Sequence, residues 1–195
     1  MKSFISMCLI CAFATMNAQD ITDESLPYYQ IPNYPEVYTA GTVAARSVDG
    51  LGFRYYWATE GLRMEDLDYK PSPDGRTTGE TIDHIYGLSK VIVNATLQKP
   101  NINSDEPEMN FEEKRKQTLI NIKTAADILR VSDDLSPFNI VFQRENGDTE
   151  FPFWNNLNGP IEDAVWHCGQ VVLLRRASGN PFNSKASLLT GKVRD

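Results

Sequence analysis

The sequence predicts an all-α protein: a four-helix bundle with a short β-hairpin inserted between the third and fourth helices. Three observations carry this expectation. Four stretches repeat apolar residues at three- and four-residue steps, the period of a helix with one buried face. Two of them open on a capping-box pair, which satisfies amide donors that a helix start leaves orphaned. One stretch, around Asn146-Gly147, switches to a two-residue period. Four amphipathic stripes joined by modest connections bury one another most simply as a bundle.

Residues 1–19, MKSFISMCLICAFATMNAQ, place Lys2 ahead of an apolar run from Ile5 to Met16 and end on small and polar residues. That is the layout of a secretory signal peptide, and the run is too short to span a bilayer. The expectation is cleavage near Ala18 or Gln19, export to the periplasm or extracellular space, and no membrane attachment afterwards. Residues 20–36 hold three prolines and several acids and read as an extended N-terminal segment. Residues 37–195 form the helical domain.

The first helical stretch runs from Val37 to Leu62, with Ala40, Val43, Ala44, Ser47, Leu51, Tyr55, Ala58 and Leu62 in register. Gly50 and Gly52 weaken its middle and predict a kink there. Most rings of Phe53-Arg54-Tyr55-Tyr56-Trp57 belong to the core. The second stretch runs from Thr78 to Leu97 behind the pair Thr77 and Glu80, with Ile85, Leu88, Val91, Ile92 and Ala95 as its stripe. His84 lies on that stripe. The third runs from Phe111 to Leu129 behind Asn110 and Glu113, with Leu119, Ile122 and Ala126 facing one way. FNIVFQRENGDTEFPFW then alternates on both sides of Asn146-Gly147, a dipeptide suited to the positive backbone angles of a tight hairpin turn. The fourth stretch, GPIEDAVWHCGQVVLLRR, has Asn158 or Gly159 to cap it and Pro160 for its first turn, and should end near Gly179. The remaining tail has little pattern.

The 195 residues are 41% hydrophobic and 23% charged, enough for one globular domain with its own core. The formal net charge of −7 becomes −8 once Lys2 leaves with the signal. That excludes nucleic acid and anionic membrane surfaces as partners, because both need a basic face. Cys8 and Cys11 leave with the signal as well. Cys168 then stands alone, so no internal disulfide supports the fold. Asn94-Ala95-Thr96 matches a glycosylation sequon but falls inside a helix. Gly50-Leu51-Gly52-Phe53 is too short for a phosphate-binding loop.

One constellation carries chemistry. Asp163 and His167 are four apart and share a helix face. If the second and fourth helices are neighbours, His84 joins them. Two imidazoles and one carboxylate suit divalent iron, manganese, nickel or zinc and leave coordination positions open. Gln170 lies one turn beyond His167 and is placed to bond a water or a ligand atom. Cys168 points about 100° away from His167 and belongs to the core. Glu80 and Glu162 stand at or near ligand spacing and are alternatives to Asp163.

From about residue 53 to residue 179 the chain resembles the DinB-like superfamily of four-helix bundles, which includes metal-dependent thiol transferases. GLRMEDLDYKPSPDGRTTGETIDHI resembles that family's passage into the second helix, where a proline-bearing loop precedes the first metal histidine. EDAVWHCGQVVLLRRASGNP resembles its fourth helix, where a His-x-x-x-His pair precedes a Gly-Gln step, present here as Gly169-Gln170. The resemblance implies that His84 and His167 are metal ligands. Asp163 stands where many members have histidine, so the implied set is two histidines and one carboxylate, or a site that has lost its metal. It further implies transfer of a small thiol or hydrolysis of a small molecule, and dimerisation through helix faces, which the residues themselves do not show. Beside the metal-dependent enzyme stand two other expectations: a non-catalytic module that binds a small ligand, and a structural bundle.

Overall fold

The computed structural model describes residues 26–103 and 107–195; the signal-peptide reading of residues 1–19 and the first residues of the 20–36 segment lie outside the described residues. The chain is mostly helical, as its periodicity predicts. Its long helices are α1 (Ala40–Thr59), α3 (Thr78–Thr96), α4 (Phe111–Arg130) and α6 (Glu162–Ala177), with short helices α2 (Met64–Leu67) and α5 (Phe153–Asn156) between them. No described helix is long and apolar enough to cross a membrane.

The expected capping boxes are present. The Thr77 hydroxyl accepts from the Glu80 amide at 3.0 Å, and the Glu80 carboxylate accepts from the Thr77 amide at 2.7 Å. Asn110 and Glu113 repeat the exchange at 2.9 Å in both directions. A third box, Thr39 with Thr42, starts α1 three residues later than the apolar pattern suggests. The expected kink at Gly50 and Gly52 does not occur; α1 is continuous. Gly52 has a packing role instead, because a Cβ there would collide with the Tyr28 ring.

Side-chain contacts fix how the long helices run. Arg115 at the start of α4 donates to Thr59 Oγ1 at the end of α1 (3.0 Å), and Arg130 at the end of α4 donates to Asp49 on α1 (3.0 Å). These helices are therefore antiparallel. Lys114 to Asp83 (2.6 Å) and Asn121 to Ser89 (3.1 Å) make α4 and α3 parallel. Arg175 near the end of α6 donates to the Trp57 and Ala58 carbonyls at the end of α1 (3.2 and 3.0 Å). So α6 runs with α1 and against α3, and each long helix touches two others in a closed cycle. Phe53, Tyr55, Tyr56, Trp57, Ile82, Ile85, Leu119, Ile122 and Val171 fill the space between them.

The strands depart from expectation. The hairpin forms as β2 (Ile140–Gln143) and β3 (Thr149–Phe151), paired Ile140 with Phe151 and Phe142 with Thr149, with Gly147 at φ +109° in the turn. It is not two-stranded, because β1 (Asn101–Ile102) pairs in parallel with β2, Asn101 opposite Phe142. Asn94 in α3 donates to Asn101 (3.0 Å), and Asn101 donates to the Val141 carbonyl (3.0 Å). The tail that seemed patternless forms a ladder of β4 (Ala186–Ser187) and β5 (Lys192–Val193). It holds the N-terminal segment, since the Ile31 amide donates to the Gly191 carbonyl at 2.9 Å. That segment is not merely extended: it turns at Tyr28 (φ +77°), and the buried Tyr28 hydroxyl donates to Asp49 at 3.2 Å.

The start of the last long helix also differs. Neither Asn158 nor Gly159 caps it. The chain passes from α5 through a wider, π-type turn over Leu157–Ile161, kinked at Gly159, straight into α6. Pro160, which lacks an amide hydrogen, lies inside that turn, where the widened ring tolerates it. At the other end Ser178 closes α6 and Gly179 takes φ +87°, the left-handed residue that ends a helix, where the sequence places it.

Candidate metal centre

His84 projects from the second turn of α3 and Asp163 from the first turn of α6; His167 follows one turn later. α3 and α6 pack against each other, and the three side chains meet on the seam between them. His84 Nε2 lies 3.1 Å from Asp163 Oδ2, and His167 Nδ1 lies 3.1 Å from Asp163 Oδ1. The two rings stand 4.5 Å apart between centroids, inclined at 65°. One carboxylate thus touches both of the chain's histidines.

The local bonding sets the state of His167. Its Nδ1 also lies 2.9 Å from the Asp163 backbone carbonyl. A carbonyl only accepts, so Nδ1 carries the hydrogen and, in the neutral ring, Nε2 keeps its lone pair. A ligating histidine is commonly oriented in this way, by donating its other ring hydrogen to a carbonyl or carboxylate. The His167 side chain is 11% exposed, whereas His84 and Asp163 are 36% and 34% exposed. One side of the trio is therefore fixed in the interior and the other opens to solvent.

These residues fit a metal. Each of the three offers a ligand atom, and those atoms all lie within 4.8 Å of one another. Bonds of about 2.0–2.1 Å at tetrahedral angles put neighbouring ligand atoms about 3.4 Å apart. The His84–Asp163 separation of 3.1 Å is already near that value. The cluster can hold a metal ion.

The alternatives to Asp163 lie elsewhere. Glu80 is exposed and its carboxylate is engaged by the Thr77 amide. Glu162 is exposed, and neither acid belongs to the cluster. Gln170 is half-buried one turn past His167, outside the set of close contacts. Cys168 is buried on another side of α6, and burial pushes its thiol up to about 12. The Glu162 amide already donates to the Gly159 and Leu157 carbonyls across the π turn, so this is not a free helix start.

Sequence reasoning missed the bond from His167 to the Asp163 carbonyl, which depends on a rotamer that spacing does not specify. It also missed Asp66. This fully buried carboxylate accepts from Arg63, Ser178 (2.6 Å) and Asn180 (2.6 Å), tying the turn before α3 to the end of α6. It thereby ties α2 to the end of α6, the helix that carries Asp163 and His167. No family model and no curated protein matches the chain.

Proposed function

We propose that the chain is an exported DinB-like protein. Its four long helices form that family's bundle and bind one divalent ion (zinc, nickel, iron or manganese) through His84, Asp163 and His167. The observation that carries this reading is convergence: the chain has two histidines, and both stand against one carboxylate although His84 and Asp163 are 79 positions apart.

When bound, such an ion supplies Lewis-acid polarisation of a substrate group and makes a coordinated thiol or water easier to deprotonate. The protein's residues do the rest. Asp163 offsets part of the ion's charge. His167, locked by its own turn of helix, fixes one direction of approach. His84 leaves the solvent side open to a small molecule. Gln170 is assigned a hydrogen bond to that molecule. The activity we propose is hydrolysis or thiol transfer on a small-molecule substrate, with equal weight to both because export separates the protein from cytosolic thiols. Nucleic acid is not a partner of so acidic a chain. A second copy through the helix faces is the assembly the resemblance implies.

A second reading has its own support. Asp163 can satisfy both rings by hydrogen bonds, one to each oxygen, with no ion at all. That arrangement suits a non-catalytic binding or structural bundle. Purification without chelators followed by elemental analysis, then a screen of esters and thiol-plus-electrophile pairs with and without added metal, separates the two. One equivalent of metal together with metal-dependent turnover supports the enzyme. Bound metal without turnover supports the binding module, and no metal supports the structural bundle.

A further inference from the structure

The face of α6 opposite the metal cluster lines a second site. Val165, Gly169, Val172 and Arg176 recur at three- and four-residue steps, about 180° around the helix from Asp163 and His167. Together with Arg54 from α1 and with Phe182, Leu188 and Arg194 from the C-terminal ladder region they enclose a groove of about 590 Å³. A ligand seated there cannot touch the metal trio, because the body of α6 lies between.

The charge of this groove is opposite to that of the protein. Three guanidinium groups line it and no carboxylate does, in a chain of net charge −7. Among the described residues none of the three forms an ion pair. Arg54 donates one hydrogen to the Gly50 carbonyl (2.9 Å), Arg194 donates to the Ser184 carbonyl, and Arg176 lies 5.6 Å from the centre of the Phe182 ring. A guanidinium has five donors, so each arginine keeps most of them for another acceptor. Between these heads the wall is aliphatic and aromatic, and Gly169 leaves the floor open: a Cβ there would meet nothing within 4 Å.

We propose that this groove binds an apolar small molecule carrying a single anionic head, the head on the arginines and the body along Val165, Gly169 and Val172. The pairing is set by charge complementarity and by the apolar lining. It is independent of the metal reading, and either can fail without the other.

The test is calorimetric titration of the purified full chain with decanoate, decyl sulfate, decanol and decyltrimethylammonium, all below their micelle-forming concentrations. The two anions should bind with one-to-one saturation, and the alcohol and the cation at least about tenfold more weakly. Gly169→Leu should fill the groove and abolish anion binding with an unchanged melting temperature. Arg54→Gln and Arg176→Gln should each weaken it about tenfold. Absence of saturable anion binding overturns the proposal. So does equal binding of the cation, or anion binding that survives Gly169→Leu in the folded protein.

Discussion

Replacing Asp66 with alanine should cost the protein about 3–5 kcal/mol, mostly through the hydrogen bonds that its buried carboxylate accepts. The carboxylate is fully buried and receives hydrogen bonds from the Arg63 amide and guanidinium (2.8–2.9 Å), the Ser178 hydroxyl (2.6 Å) and the Asn180 amide (2.6 Å). Arg63 is half exposed, so its ion pair contributes at most about 1 kcal/mol. The three other donors lose a charged acceptor, but the Ser178 hydroxyl and the Asn180 amide each keep a second one, the Arg175 and Gly61 carbonyls, so the loss stays below the full sum of about 1.5–3 kcal/mol each. The effect depends on pH in a defined direction. The hydrogen bond from the Arg63 side chain, followed by those from Ser178 and Asn180, holds the folded carboxyl well below the usual range. Above the unfolded value of about 3.9 both states are ionised and the stabilisation is complete. Below it the unfolded chain takes up a proton first, and the stabilisation shrinks as pH falls toward the folded value. Urea denaturation of wild type and Asp66→Ala should therefore give a constant gap from neutrality down to about pH 5 and a narrower one below about pH 4. A gap under about 1 kcal/mol, or one equally wide in acid, would refute the reasoning.

Three other perturbations follow from the geometry. Asp163→His should retain one-to-one zinc binding, because an imidazole replaces the lost ligand, whereas Asp163→Ala should weaken it at least about tenfold by calorimetry; normal binding by Asp163→Ala would show that Asp163 is not a ligand. Native Cys168 should resist a thiol reagent at pH 8, since burial has pushed its thiol up to about 12, and should react at once in denaturant. Gly41→Ala should destabilise by about 2 kcal/mol or more in thermal unfolding, because its Cβ would collide with the Ser132 and Leu129 carbonyls where α1 crosses the end of α4.

What the sequence disclosed was whatever local chemistry decides. The pairs Thr77–Glu80 and Asn110–Glu113 announce their helices because a capping box is an exchange between residues three apart. Asn146-Gly147 and Gly179 announce a turn and a helix end because both need positive φ or tolerate it cheaply. The i, i+4 spacing placed Asp163 beside His167, and only the partnership with His84 needed the packing of α3 on α6. The parts that escaped are held by distant partners. Asn101 pairs with a strand forty residues later, and the short C-terminal ladder is in hydrogen-bond contact with Ile31. The glycine at 52 looks like a helix breaker until the Tyr28 ring lies against it. The π turn before α6 has no periodic signature, because it spends Pro160 and a kinked Gly159 inside one continuous helical path.

The most direct test of the candidate metal centre is titration of chelator-treated protein with zinc, wild type beside His84→Ala and His167→Ala. Wild type should bind one equivalent and either variant none at the same concentration, with all three folded by circular dichroism. Wild type that takes up no zinc, nickel, iron or manganese, or variants that bind as wild type does, would contradict it.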